Sequence, residues 1–201
     1  MSALALAQPA LPALAPDVID RYAGPYAWLG NGAPSPVQLG RFTCATVEHG
    51  FNAAKTLDMA QRAWVIAAPA PFGAGPDRER WGAKKRGHHV TLRPGWDEDL
   101  PAERLAPGPG PVPLKVAVMR FLLRQKFYAI PELGRRLLAT GDATLIEGNT
   151  WHDNFWGRCT AHARREDCPR FHPAVFARYG DNWLGRLQMQ IRAELAVIFI
   201  Q

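Results

Sequence analysis

The chain has 201 residues, 47% of them apolar, three cysteines and a formal charge of +6. That apolar share excludes a disordered chain, and no apolar run approaches the roughly 18–20 residues needed to cross a bilayer. Three cysteines do not make a disulfide framework, so a reducing cytoplasm is the expected setting, and the positive charge favours anionic partners such as phosphorylated metabolites, nucleotides or nucleic acid.

Residues 1–16, rich in Ala, Leu and Pro, lack the basic start of a secretory signal and read as a flexible tail. A single domain is expected over 17–201. Its first stretch, 17–35, is punctuated by Gly and Pro and includes the turn-rich Leu29-Gly30-Asn31-Gly32. Residues 37–44 can supply a short strand. Thr46 is placed to cap a helix that begins near Val47, with the carboxylate of Glu48 in its first turn.

Within that helix Glu48, Asn52 and Lys55 stand at i, i+4 and i+7, one stripe over about two turns. A carboxylate, an amide and an amine in a row suit acid–base chemistry or an amine nucleophile. Further helices are expected over 58–68, 78–86 (stopped by Gly87), 114–127, 132–140 (stopped by Gly141) and 184–197. Residues 88–93 and 144–147 read as short strands. The Pro/Gly-rich stretch 102–113 reads as a surface loop. The sum is α+β, predominantly helical with a small β-sheet.

Four more motifs stand out: Leu92-Arg93-Pro94-Gly95-Trp96; Leu137-Leu138-Ala139-Thr140-Gly141-Asp142; residues 146–157, which carry Trp151-His152-Asp153-Asn154-Phe155-Trp156-Gly157; and residues 180–192, Gly-Asp-Asn-Trp-Leu-Gly-Arg-Leu-Gln-Met-Gln-Ile-Arg. Together with Glu48 through Lys55, and in this order, they resemble the NADAR (YbiA-like) family over about residues 26–194. The resemblance implies a single catalytic domain that needs no redox cofactor or metal. The implied activity is that of an N-glycosidase, a hydrolase of N-glycosyl compounds. Two substrate classes come with it: phosphoribosylamino-pyrimidines of riboflavin synthesis, and ADP-ribose attached to guanine in DNA or RNA.

By that resemblance Lys55 is the amine that attacks the anomeric carbon, through a Schiff base, with Glu48 handling protons or ribose hydroxyls. Asp153 is the second acid, with a turn-capping role as its structural alternative. Asn31 and Asn52 are placed at the substrate, Trp96 and Trp156 as a sandwich for the base, and Arg93 on phosphate. A lysine normally titrates near 10.4, and only its neutral form attacks, so burial or a neighbouring cation must lower that value by about three units. The chain departs from the family pattern at Leu29–Gly32, at Gly87-His88 and at Tyr128-Ala129-Ile130, all expected at the ligand's phosphate end.

Two other signals compete. Cys159, His162, Cys168 and His172 are soft or borderline ligands, but their spacing matches no standard zinc finger and is read as no metal site. His88-His89 reads as surface or core. A basic chain with seven Trp also fits a non-catalytic nucleotide- or nucleic-acid-binding module. It would show salt-sensitive binding without turnover.

Overall fold

The computed structural model describes residues 16–100 and 112–199. The expected tail, apart from its last residue, and most of the expected 102–113 loop lie outside the described residues. In chain order the first elements are β1 (Val18–Ile19), a 3-10 turn (Gly24–Leu29), β2 (Val37–Leu39), β3 (Phe42–Cys44), α1 (Val47–Ala54), α2 (Met59–Ile66) and α3 (Ala83–Arg86). There follow β4 (Asp99–Leu100), β5 (Val112–Pro113), α4 (Leu114–Ala129), α5 (Pro131–Leu138) and β6 (Thr144–Leu145). The chain closes with β7 (Gly148–Asn149), β8 (Arg158–Cys159), α6 (Pro173–Tyr179) and α7 (Trp183–Phe199).

The class is the expected helical α+β, but among the described residues the strands form four separate two-stranded pairs rather than one small sheet. Residues 37–44 are a hairpin, β2 against β3, with Leu39 opposite Phe42 across a Gly40-Arg41 turn. β1 runs parallel to β6, and β7 parallel to β8. β5, at the end of the stretch expected to be loop, pairs with β4.

The expected helix over 78–86 is broken. A 3-10 turn at Arg78–Arg80 is followed by extended backbone at Trp81 and Gly82, and only then α3. The cause is competition for donors: the N–H groups of Gly82, Ala83 and Lys84 go to the carbonyls of Gly73, Ala70 and Pro71. The expected strand over 88–93 is irregular for the same reason. The Thr91 N–H donates to Gln61 Oε1 and that of Arg93 to the Lys55 carbonyl, leaving no ladder for a partner strand.

The core is organised around α4. Its Met119, Leu122, Leu123 and Phe127 recur at three- and four-residue spacing and are all buried, against α1, α5 and α7. A fully buried leucine is worth about 1.5–3 kcal/mol, so this stripe is a main source of stability. From α7, Leu184, Leu187, Ile191 and Leu195 face it. Arg120 and Arg124 of α4 reach Glu194 of α7 and fasten the pair.

Lys126 breaks the apolar pattern on the buried face of α4. It is fully buried and donates to the carbonyls of Leu29 (3.3 Å) and Gly30 (2.8 Å), while Gln188 of α7 also donates to Leu29 (2.8 Å). Burial pushes Lys126 down to about 7. Two buried polar side chains thus cap the first 3-10 turn and fix the backbone that carries Asn31 into the cleft.

Candidate active site

α1 starts where Thr46 accepts the His49 N–H at 3.3 Å, and all eight of its residues are buried. His49 is held within the fold by the Thr46 hydroxyl (2.9 Å) and the Ala68 carbonyl (3.2 Å). The carbonyl can only accept, so Nε2 carries the proton and Nδ1 accepts from Thr46. The Glu48 N–H donates to the Asn31 carbonyl at 2.9 Å, tying the loop to the first helical turn.

The expected stripe is present and hydrogen-bonded end to end. Asn52 Nδ2 donates to Glu48 Oε1 at 2.8 Å, and Lys55 Nζ donates to Asn52 Oδ1 at 2.7 Å. The amide therefore separates the carboxylate from the amine. Among the described residues no carboxylate lies within ion-pairing distance of Lys55. Burial pushes Lys55 down to about 8, opposed by the charge of Glu48 and reinforced by that of Lys84. At that value about one amine in ten is neutral at pH 7. Burial also raises Glu48, against the pull of Lys84.

These side chains line one wall of a cavity of about 580 Å³. The far wall comes from residues 151–156, a loop held by paired amide bonds: Asn149 Nδ2 donates to the Asp153 carbonyl at 2.8 Å, and Asn149 Oδ1 accepts the Asp153 N–H at 3.0 Å. Asp153 Oδ1 accepts the N–H groups of Phe155 (3.0 Å) and Trp156 (2.8 Å). Asp153 thus lines the cleft while its carboxylate caps a turn, the structural role expected as its alternative.

Of the other expected site residues, Asn31, Asn52 and Trp156 line the cavity, and Arg93 and Trp96 do not. Trp96 is 5% exposed and sits in the core behind Phe51, their rings 5.2 Å apart. Phe51 stands between Trp96 and Trp156, so the tryptophan pair cannot sandwich a base in this arrangement. Arg93 is tied by its backbone to the Lys55 carbonyl at 2.7 Å, and its side chain lines neither this cavity nor its neighbour. Asn31 brings a buried Oδ1 with no hydrogen-bond partner among the described residues.

Glu147 and Lys84 also line the cavity, and neither is among the expected site residues. Glu147, just after β6, is pushed up to about 8 by burial first and then by the charges of Asp153 and Glu48. It therefore holds a proton at neutral pH. An acid directly after the buried pair Leu145-Ile146 was the available signal. Lys84 belongs to the tightest basic run of the chain, and its ammonium sits 5.9 Å from the Trp151 ring centroid. His88, read as surface or core, borders the cleft.

A second cavity of about 920 Å³ shares Asn31, Glu48, Lys84, Glu147 and Trp151 with the first, and adds Arg21 and Arg136. Lys55 and Arg170 line only the first cavity, so each of the two neighbouring cavities has cations of its own.

Gly87 backs the stripe. A Cβ there would lie 2.3 Å from Asn52 Oδ1 and 2.6 Å from Asn52 Cβ. Gly87→Ala is expected to displace the amide and with it Lys55, lowering turnover about 100-fold. Steady-state kinetics beside a far-ultraviolet dichroism spectrum checks this: the spectrum should stay near wild type while kcat falls.

A buried acid, an amide relay and an amine of lowered basicity make this a site for acid–base work at an electrophilic carbon. The NADAR domain family matches residues 113–196. The chain is 30% identical to N-glycosidase YbiA of Escherichia coli over 175 residues, covering 86% of this chain and 83% of that protein. The solved NMR structure of E. coli YbiA superposes with a TM-score of 0.66 at 26% identity, covering 94% of this chain and 93% of that one. Over 173 residues the chain is 29% identical to the chloroplastic riboflavin biosynthesis protein PYRR of Zea mays, covering 82% of this chain and 23% of that protein. The chain belongs to the NADAR family and has its YbiA-like fold. Among the described residues no helix is long and apolar enough to cross a membrane.

Proposed function

We propose that this chain is an N-glycosidase that hydrolyses the bond between a phosphorylated ribose and an amino-substituted heterocycle. The observation that carries the reading is Lys55: a half-buried amine, lowered to about 8, on the wall of a cleft that also holds Glu48, Glu147 and Asp153. Similarity to a protein named N-glycosidase over 86% of the chain supports it.

In the proposed reaction the C1–O4 bond breaks as O4 takes a proton from a cleft acid and the lone pair of the heterocycle nitrogen forms a C1=N iminium. Neutral Lys55 Nζ adds to that C1. The C1–N bond to the heterocycle breaks as a carboxylic acid gives its proton to the departing nitrogen. Glu147 is the side chain best suited to that step, because it is still protonated near pH 7. The product is an imine between C1 and Lys55. Water, deprotonated by a carboxylate, adds to C1 and releases the sugar aldehyde and the free amine. Glu48, on the same relay as Lys55, fits the second proton transfer, with Asp153 across the cleft.

Two neighbouring cavities with cations in each favour a substrate with two separated anionic groups, such as ADP-ribose on guanine in nucleic acid, with its pyrophosphate and the phosphates of the strand. The riboflavin name of the maize relative favours the phosphoribosylamino-pyrimidine class instead. Parallel assays of base release from ADP-ribosylated guanine DNA and from a phosphoribosylamino-pyrimidine test both. The first is expected to turn over with the higher kcat/KM. The reverse order assigns the smaller substrate, and salt-sensitive binding without release from either restores the binding-module reading.

A further inference from the structure

We infer that His152, Cys159, His162 and Cys168 form a structural zinc site that braces the loop carrying Asp153 and Trp156. This goes beyond the glycosidase reading and departs from the expectation of no metal. The spacing in the sequence included His172, which lies outside the cluster; the fold brings His152 into its place.

The ligand atoms of His152, His162 and Cys168 lie within 4.8 Å of one another. His152 Nδ1 is 3.5 Å from Cys168 Sγ and 3.6 Å from Cys159 Sγ. Tetrahedral zinc, with Zn–S near 2.3 Å and Zn–N near 2.0–2.1 Å, places a sulfur and a nitrogen about 3.6 Å apart. One imidazole nitrogen has a single lone pair or a single proton, so it cannot make two good hydrogen bonds to two thiols. A shared cation satisfies both.

Four further observations point the same way. His162 Nε2 is buried with no partner among the described residues. Asn154 Nδ2 donates to Cys168 Sγ at 3.0 Å, the kind of donor that steadies a metal-bound thiolate. His152 adopts φ +68°, a conformation that is unfavourable for a non-glycine residue and that here brings its ring to both sulfurs. Both cysteines are buried, which fits metal ligation by thiols shielded from oxidants.

Four protein ligands close the coordination sphere, so the ion has no position for water and its role is to hold the loop. Residues 152 and 168 are sixteen apart, with β8 between them, and joining them fixes the turn on which Asp153 and Trp156 sit.

The test uses the whole chain, purified under reducing conditions, loaded with zinc and freed of loose metal. One zinc per chain is expected by elemental analysis, falling at least tenfold in a Cys159→Ser/Cys168→Ser variant. Cobalt loaded in place of zinc should give the visible bands of a tetrahedral ion and a thiolate charge-transfer band in the wild type. This spectrum decides the matter even if the double variant does not fold. A wild type that retains no zinc, an octahedral cobalt spectrum without thiolate absorption, or titration showing the two cysteines joined as a disulfide would each overturn the proposal.

Discussion

Lys55→Ala is expected to abolish base release, with a loss on the order of 10³-fold or more, while the protein still folds. Methylene contacts are lost, but so is the cost of holding an ammonium in a half-buried site. The sign of the pH effect separates these contributions. Lys55 titrates near 8 when folded and near its ordinary 10.5 when unfolded. Below pH 8 both states carry the proton, and the wild type bears the full cost of the buried charge. Between about 8 and 10.5 the unfolded chain binds a proton that the folded chain does not, so wild-type stability rises relative to the variant. Thermal unfolding from pH 7 to 10 should show the wild-type Tm gaining on that of Lys55→Ala. Activity of the wild type should climb with pH through about 8 as the neutral amine accumulates, and turn down as Glu147, also near 8, loses its proton. A narrow bell centred near pH 8 is the expected profile of kcat/KM.

Glu48→Gln is expected to lower kcat by about 10²–10⁴-fold, the usual worth of a positioned proton-transfer group. The amide keeps an oxygen for Asn52 Nδ2, whose present bond to Glu48 Oε1 is 2.8 Å, so the relay geometry survives and the loss reports chemistry. A second readout comes from charge. Glu48 holds the Lys55 value up against burial, so its neutralisation should let that value fall further. The rising limb of the pH–rate profile should therefore move to lower pH even as the rate drops. A limb that stays in place would show that the two groups are not electrostatically coupled.

Much of this site was legible because it rests on local rules. The Thr46 cap and the spacing of Glu48, Asn52 and Lys55 are read along one helix, and the structure turns that spacing into two hydrogen bonds. The α4 stripe was equally plain, since burial follows its three- and four-residue period. Trp96 and Trp156 could not be told apart, because which tryptophan faces the cleft depends on where Phe51 comes to rest between them. Glu147 was missed because its elevated value arises first from burial that only the fold supplies, and then from the charges of Asp153 and of Glu48, the latter far away in sequence. The two-residue strands escaped notice since their pairing is set by tertiary contact. Gly148 opposite Arg158 leaves no alternating pattern to read. The broken segment at 78–86 shows the same limit, as its donors are claimed by the upstream loop at residues 70–73.

The central claim is that Lys55 forms a covalent imine with the sugar during turnover. Borohydride added to the working enzyme, followed by peptide mass spectrometry, tests it most directly. Loss of activity that requires substrate is expected, with one reduced sugar adduct located on Lys55. An enzyme that keeps releasing base in the presence of borohydride, or an adduct on any other residue, would contradict it.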